Sequence, residues 1–312
     1  MKTIILLLGI LFLVFPASSF AEETAEPSGP RLFFLPGFSY NYLAFEGVNI
    51  HNPSATITMV RVDPMVQDKM LILSLGYSPV IFDNKYRPHY PDMFHQGSVN
   101  LIRRDGRHSL VMGFMPRTEK PVFGGYRSFT GMAMYSYSLI QGDHFSMGIG
   151  AGLLLMDFGI TMNDGTPWML WPIPVLSLSW KYEWVELDLT TGAKLTIGPK
   201  KPFSFILEGG LGGYDAALWY NNESMGLGLG VKSDREELHL ADGRRYRLGY
   251  NALYGAVKLF GFLEIKSGWA FEGKEGERQM SGTSLFRSLG RGPGYDRNLG
   301  SGFFVSISGS LM

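Results

Sequence analysis

Nucleophile-and-base chemistry needs a hydroxyl within hydrogen-bond reach of a histidine, and this chain offers two sequence neighbourhoods where that is conceivable. The first is His95 with Ser98, at a loop-to-strand junction with Asp92 close by; the second is the adjacent pair His108 and Ser109. Adjacent residues on a strand project to opposite faces, which sets His108 and Ser109 apart, and polar residues are ordinary at a junction such as His95–Ser98. His144 follows a Gly-Asp turn and reads as a turn residue. No catalytic residue is assigned and no enzyme is expected. A metal centre is not expected either, because the chain has no cysteine and none of its six histidines pairs at ligand spacing. The run Gly226, Gly228, Gly230 lacks the following helix that a phosphate-cradling loop requires, and reads as a strand with small side chains. No cofactor is expected.

The remaining chemistry lies in charged residues that alternate with apolar ones. Glu186, Asp188, Glu208, Arg245, Arg247, Glu264 and Lys266 each occupy the polar phase of such an alternation. On the inside of a barrel they would line a lumen and bias which ions or polar solutes pass. The alternative is that opposite charges pair across neighbouring strands and fill the interior. Their mixed sign gives no prediction of selectivity.

The element that would position such residues is clearest from Tyr126 to Phe158. Phe145, Met147, Ile149, Ala151, Leu153 and Leu155 share one face of the second arm, and Ser146, Gly148, Gly150 and Gly152 share the other. Gln141-Gly142-Asp143 supplies the turn. Two long strands, apolar on one side, suit tilted membrane-crossing strands, which need roughly 9 to 11 residues. A second hairpin, from Arg245 to Phe271, is expected to set Tyr246, Leu248, Tyr250, Ala252, Tyr254 and Ala256 on its apolar side and Arg245, Arg247 and Asn251 on its polar side. Its companion strand sets Leu263, Ile265, Trp269 and Phe271 against Glu264, Lys266 and Gly268. At Lys181-Tyr182-Glu183-Trp184 aromatic residues crowd a short turn, as in an interfacial girdle.

Lys2, the apolar run from Ile4 to Phe15 and the small residues Ser19 and Ala21 read as a secretory signal over residues 1–21, with cleavage expected before Glu22. Residues 22–31 are acidic and small and form a flexible N-terminal segment. Residues 32–312 form one domain, since no linker or composition break divides them. Beyond the signal no apolar run reaches 18 residues, so a membrane location would have to be reached with strands. The 28 basic and 28 acidic residues balance, which offers nothing to nucleic acid; at 18% of the chain, charged residues fall below the roughly 25% usual in soluble domains.

Connections are expected to alternate: long at Asn49–Ser54, Asp83–Phe94 and Pro116–Gly125, and short at Val66–Lys69, Arg104–Arg107 and Gln141–Asp143. The longest loop is expected at Glu272–Gly300. The stretch Asn221–Arg244 reads as long and polar, with a small hairpin at Gly226–Val231. An even barrel puts both termini at the short-turn end, which gives 12 to 14 strands. In this pattern residues 32–312 resemble bacterial outer-membrane β-barrel proteins of the porin-like type. The resemblance implies an all-β fold, a transmembrane antiparallel up-and-down barrel exported to the outer membrane. It also implies outer-membrane lipids and the barrel-assembly machinery as partners. The function expected is a passive or weakly selective channel for small solutes. The alternatives are a structural or surface barrel with a closed lumen and, behind it, a lipid-modifying hydrolase using His95 and Ser98.

Overall fold

Alternating side chains make every described element a β-strand. The computed structural model describes residues 31–62, 69–83, 92–118, 129–156, 169–190, 192–199, 201–210, 213–222, 225–239, 244–279 and 294–310. The expected signal, its cleavage site and nearly all of the flexible segment lie outside them. The elements are β1 (Arg31–Phe45), β2 (Val48–Val62), β3 (Lys69–Tyr77), β4 (Val80–Asp83), β5 (Met93–Asp105), β6 (His108–Thr118), β7 (Phe129–Gln141), β8 (Phe145–Leu155) and β9 (Leu170–Tyr182). They continue as β10 (Val185–Asp188), β11 (Ala193–Ile197), β12 (Phe203–Gly210), β13 (Gly213–Asn221), β14 (Met225–His239), β15 (Arg244–Leu259), β16 (Leu263–Gln279) and β17 (Gly294–Ser310).

β3 and β4 both lie between β2 and β5, so they are one strand interrupted at Ser78-Pro79. Each strand pairs antiparallel with the next, and β17 returns to β1 through Gly37↔Ser310 to Phe45↔Gly302. The result is a closed barrel of sixteen strands, in which no ladder edge is left at the seam. The even count puts Arg31 and Ser310 at the same end. The surplus over the expected 12 to 14 comes from residues 193–239, where short strands separated by glycines escaped a reading based on long alternating runs.

Three expected connections are corrected. Asn49–Ser54 is part of β2, and the first hairpin turns at Glu46-Gly47, with Gly47 at a positive φ of 75°. The polar stretch beginning at Asn221 contains the single long strand β14 and no hairpin at Gly226–Val231. Much of Glu272–Gly300 is also strand, in β16 and β17. At the β15–β16 turn both Phe260 and Gly261 have positive φ, 55° and 74°, the conformation that matches the twist of a tight hairpin.

The two faces of the wall differ. Rows of outward residues run across strands in register, such as Val231↔Leu253↔Trp269↔Phe303 and Leu227↔Val257↔Ile265↔Ile307. Leu253 is 54% exposed and Leu229 72%. In β8 the apolar set Phe145 to Leu155 faces outward as its alternation requires, and the glycines face in. At the short-turn end, Trp180, Tyr182, Trp184, Phe203, Tyr220, Phe260 and Phe262 are exposed and form an aromatic girdle.

The apolar core sits inside the barrel, toward the long-loop end. Phe82, Phe94 and Tyr246 meet as rings, with centroids 5.4 Å apart for Phe82–Tyr246 and 5.7 Å for Phe82–Phe94. Phe45, Val48, Leu238 and Leu248 pack around them. At the same end β14 leans across the interior: His239 bridges in parallel to Thr118 of β6.

Candidate functional site

β14 carries the inward glycines Gly226, Gly228 and Gly230, and their missing side chains decide what the neighbouring strands can do. A Cβ on Gly228 would lie 3.0 Å from the Trp219 ring, and one on Gly230 would lie 2.4 Å from the ring of Tyr254. Trp219 of β13 and Tyr254 of β15 therefore lie flat over β14. Across this smooth strip a polar network forms. Tyr254 donates its hydroxyl to Asp215, Lys266 donates to Asp215 at 2.9 Å and pairs with Glu264 at 3.2 Å, and Lys258 pairs with Glu264 at 3.2 Å. Lys258 Nζ also sits 4.4 Å from the centre of the Trp219 ring, a cation–π contact. Nearer the loop end Lys232 donates to Tyr250 at 2.9 Å, and Tyr250 donates to Asp234 at 3.1 Å. Tyr246 donates to the buried carboxylate of Glu275 at 2.9 Å.

The opposite wall is lined by small hydroxyls. Ser109↔Ser136, Gly148↔Ser177 and Ser146↔Ser179↔Asp188 are inward register rows of β6 to β10. With Lys69, Arg104 and Lys181 they enclose an open cavity of about 600 Å³ at the short-turn end.

The expected lumen residues fall into three groups. Glu264 and Lys266 meet in the network on β16. Glu186, Asp188 and Glu208 lie on β10 and β12, opposite Thr196 and Lys181, Lys194 and Ser179, and Lys194 respectively. Glu208 pairs with Lys194 at 2.5 Å, each about half exposed. Arg247 is placed otherwise: it lies on the face of β15 opposite buried Tyr246 and Leu248, so it faces outward, and the side chain of Arg245 lies outside the described residues. The faces of β15 are thus the reverse of the expectation, with Tyr246 to Ala256 inside and Leu253 and Val257 outside. The reason is chemical. A tyrosine has an apolar body and a polar tip, and here the hydroxyls of Tyr246, Tyr250 and Tyr254 all end on interior carboxylates.

Asp215, Lys258 and Lys194 were not singled out from sequence, and Tyr254 was expected on the apolar side of its hairpin. Asp215 between Tyr214 and Ala216 is the same polar-phase signal as the others, but it stands in a glycine-broken stretch.

The histidine pairs are also resolved. His95 Nδ1 is 2.6 Å from the Tyr77 hydroxyl on the outer face, whereas Ser98, three residues on, faces inward beside Gly76. His108 is hydrogen-bonded to Tyr135 at 2.6 Å on the outer face, and Ser109 faces in. Neither histidine can reach its serine. Among the described residues no three His, Asp or Glu side chains converge as metal ligands.

The fold defines a closed antiparallel up-and-down β-barrel with an apolar outer belt and a partly polar interior. No family model matches the chain, and no curated protein matches it. Among solved structures it is similar to OmpF of Salmonella typhi in complex with daunomycin, at 7% identity and TM-score 0.37, covering 92% of this chain and 99% of that one. It is also similar to the outer membrane protein opdK of Pseudomonas aeruginosa, at 8% identity and TM-score 0.34, with 90% and 99% covered. A third is an outer membrane channel of Pseudomonas putida F1, at 7% identity and TM-score 0.30, with 93% and 98% covered.

Proposed function

We propose that the chain is exported to a bacterial outer membrane, spans it as a barrel, and acts as a passive, weakly selective channel for small polar solutes. The observation that carries this reading is the contrast between the two faces of one wall. Leu218, Leu229 and Leu253 stand exposed outside, while Ser136, Ser177, Asp188, Lys194 and Glu208 stand in a wet interior. A water-soluble barrel has no reason to place its largest apolar side chains outward and its charges inward, whereas a barrel in lipid has both reasons. Charges of both signs on the lumen wall favour weak selectivity.

A second reading, a structural barrel closed to solutes, is favoured by the packed rings of Phe82, Phe94 and Tyr246 at the loop end. Planar-bilayer recordings of the refolded protein separate the two. A stable current is expected for the channel, and silence across voltages and salts would leave the closed barrel. Recovery of the mature protein in a detergent-free soluble fraction would sink both.

A further inference from the structure

The barrel wall bends along one line. Among the described residues the ladder between β13 and β14 runs as far as Gly213↔Asp234, and the ladder between β1 and β17 as far as Phe45↔Gly302. Between those two rungs β15, β16 and β17 are irregular at the same height. β15 shifts register against β16 between Gly249 and Asn251, beside the Asp234↔Tyr250 rung of β14. β16 shifts against β17 between Ala270 and Gly273, and again between Gly273 and Lys274. Glu272 takes a positive φ of 53°, uncommon for a residue other than glycine, and Gly300 one of 70°. A bulge bends its strand and increases the local twist, so a row of them across three strands makes a crease. Phe45 fills its inner angle: a Cβ on Gly273 would lie 2.6 Å from that ring.

Above the crease, residues 235–239, 244–249, 273–279 and 294–300 continue as one four-stranded sheet, joined through rows such as Glu236↔Leu248↔Glu275↔Arg297. This sheet leaves the wall and crosses the lumen. β14 and β6 stand opposite each other, eight strands apart in the ring of sixteen, yet His239 bridges to Thr118.

The sheet is held together in one way and held to the far wall in another. Within it, Tyr246 donates to Glu275 at 2.9 Å and Arg297 pairs with Glu275 at 3.9 Å. Against the far wall the Tyr246 ring lies on Phe82 and Phe94, with centroids 5.4 Å and 6.3 Å apart, and Leu238 is wholly buried. Arg117 of β6 attracts the Glu236 carboxylate electrostatically across the lumen. Ladders and a buried polar cluster thus keep the sheet in one piece, while non-directional ring contacts, one bridge and one charge attraction hold it down. Lifting it off the far wall parts Tyr246 from the rings of Phe82 and Phe94 and leaves its bond to Glu275 intact.

We propose that the upper parts of β14 to β17 form a hinged gate that turns about the crease, shutting the lumen when Tyr246 rests on Phe82 and Phe94 and opening it when those rings part. The proposal rests on the channel reading given above and adds its control. One protein is then closed or conducting according to where the sheet lies.

The chain has no cysteine, so Thr118→Cys with His239→Cys in the refolded mature protein introduces one defined cross-link between bridged positions. Paired strands lie about 4.8 Å apart, within the Cα spacing a disulfide accepts. Single channels are recorded in planar bilayers after oxidation and again after reduction with dithiothreitol. A gate gives a closed level under oxidation and openings on reduction, with neither treatment affecting the cysteine-free protein. Phe82→Ala, a second and separate variant, removes a ring under Tyr246 and should raise the open-to-closed ratio about tenfold, the scale of one lost aromatic pair. Equal currents from oxidised and reduced protein, with the cross-link confirmed by loss of maleimide labelling, overturn the gate and leave the channel reading standing. Cysteines that both still react with maleimide after oxidation place the sheet away from β6 and overturn the gate as well. Silence of the wild type and of both variants, in protein that floats with phosphatidylcholine vesicles, overturns the channel reading and the gate with it.

Discussion

Lys266 of β16 reaches Asp215 of β13 at 2.9 Å, spanning two intervening strands inside the barrel. The reach runs over the Tyr254 ring, 5.1 Å from Lys266 Nζ to its centre, and the inward positions beside that ring are small: Gly228 and Gly230 on β14, and Ala252 and Ala256 on β15. Asp215 and Lys266 thus tie four strands together through side chains, in addition to the backbone ladder.

Lys266→Met removes the cation that Asp215 and Glu264 share. The pair is neither fully buried nor freely exposed, so a loss of about 1 to 3 kcal/mol of stability is expected, between the exposed and buried limits for ion pairs. Urea unfolding of the refolded barrel measures it. A double-mutant cycle with Asp215→Asn should show a coupling energy, since the two residues share one contact; strict additivity would remove the tie.

Gly230→Ala places a methyl group where the Tyr254 ring lies, so the ring must shift from its bond with Asp215. The expected cost is about 1 to 3 kcal/mol, the range for overpacked sites. Gly209→Ala at the open rim is the matched control and should change the unfolding midpoint little.

Tyr246→Phe deletes a hydroxyl that donates to Glu275, a carboxylate only 2% exposed. Withdrawing a donor from a buried acceptor costs about 1 to 3 kcal/mol. The same denaturant titration reads the change, and the effect should exceed that of Tyr135→Phe on the outer face.

Lys194→Glu reverses the charge that faces Asp188 and Glu208 in the lumen. Glu186, Asp188, Glu208 and the new carboxylate would then form one acidic patch. In a KCl gradient the reversal potential should move toward the cation value. An unchanged potential would mean that ions do not pass this part of the wall.

The chain pattern revealed most where one face is held by glycine. Along Phe145–Leu155 the alternation of large apolar residues with Gly148, Gly150 and Gly152 leaves one assignment, and the barrel adopts it. It misled at β15, because alternation reports which residues share a face and not which side of the wall that face takes. Tyr246, Tyr250 and Tyr254 look apolar to a pattern but carry hydroxyls that need interior partners. It also misled in the upper parts of β14, β16 and β17, where strands rise beyond the apolar belt and carry charges that read as loop. The small strands β11 and β12 were hidden for another reason: five to eight residues hold too few alternations to stand out from glycine-rich turns.

The pairing of β1 with β17 has a consequence for assembly. Every other neighbour in the wall is a hairpin partner or close to one in sequence, so those ladders can form locally as the chain arrives. The pair Gly37↔Ser310 joins opposite ends of the molecule. Its loop-closure entropy is the largest in the fold, and contacts so distant in sequence form slowly. Until that last ladder closes, the chain is an open sheet with two sticky margins, the first strand and the last. A carrier that shields those margins would be needed for as long as the seam stays unsealed.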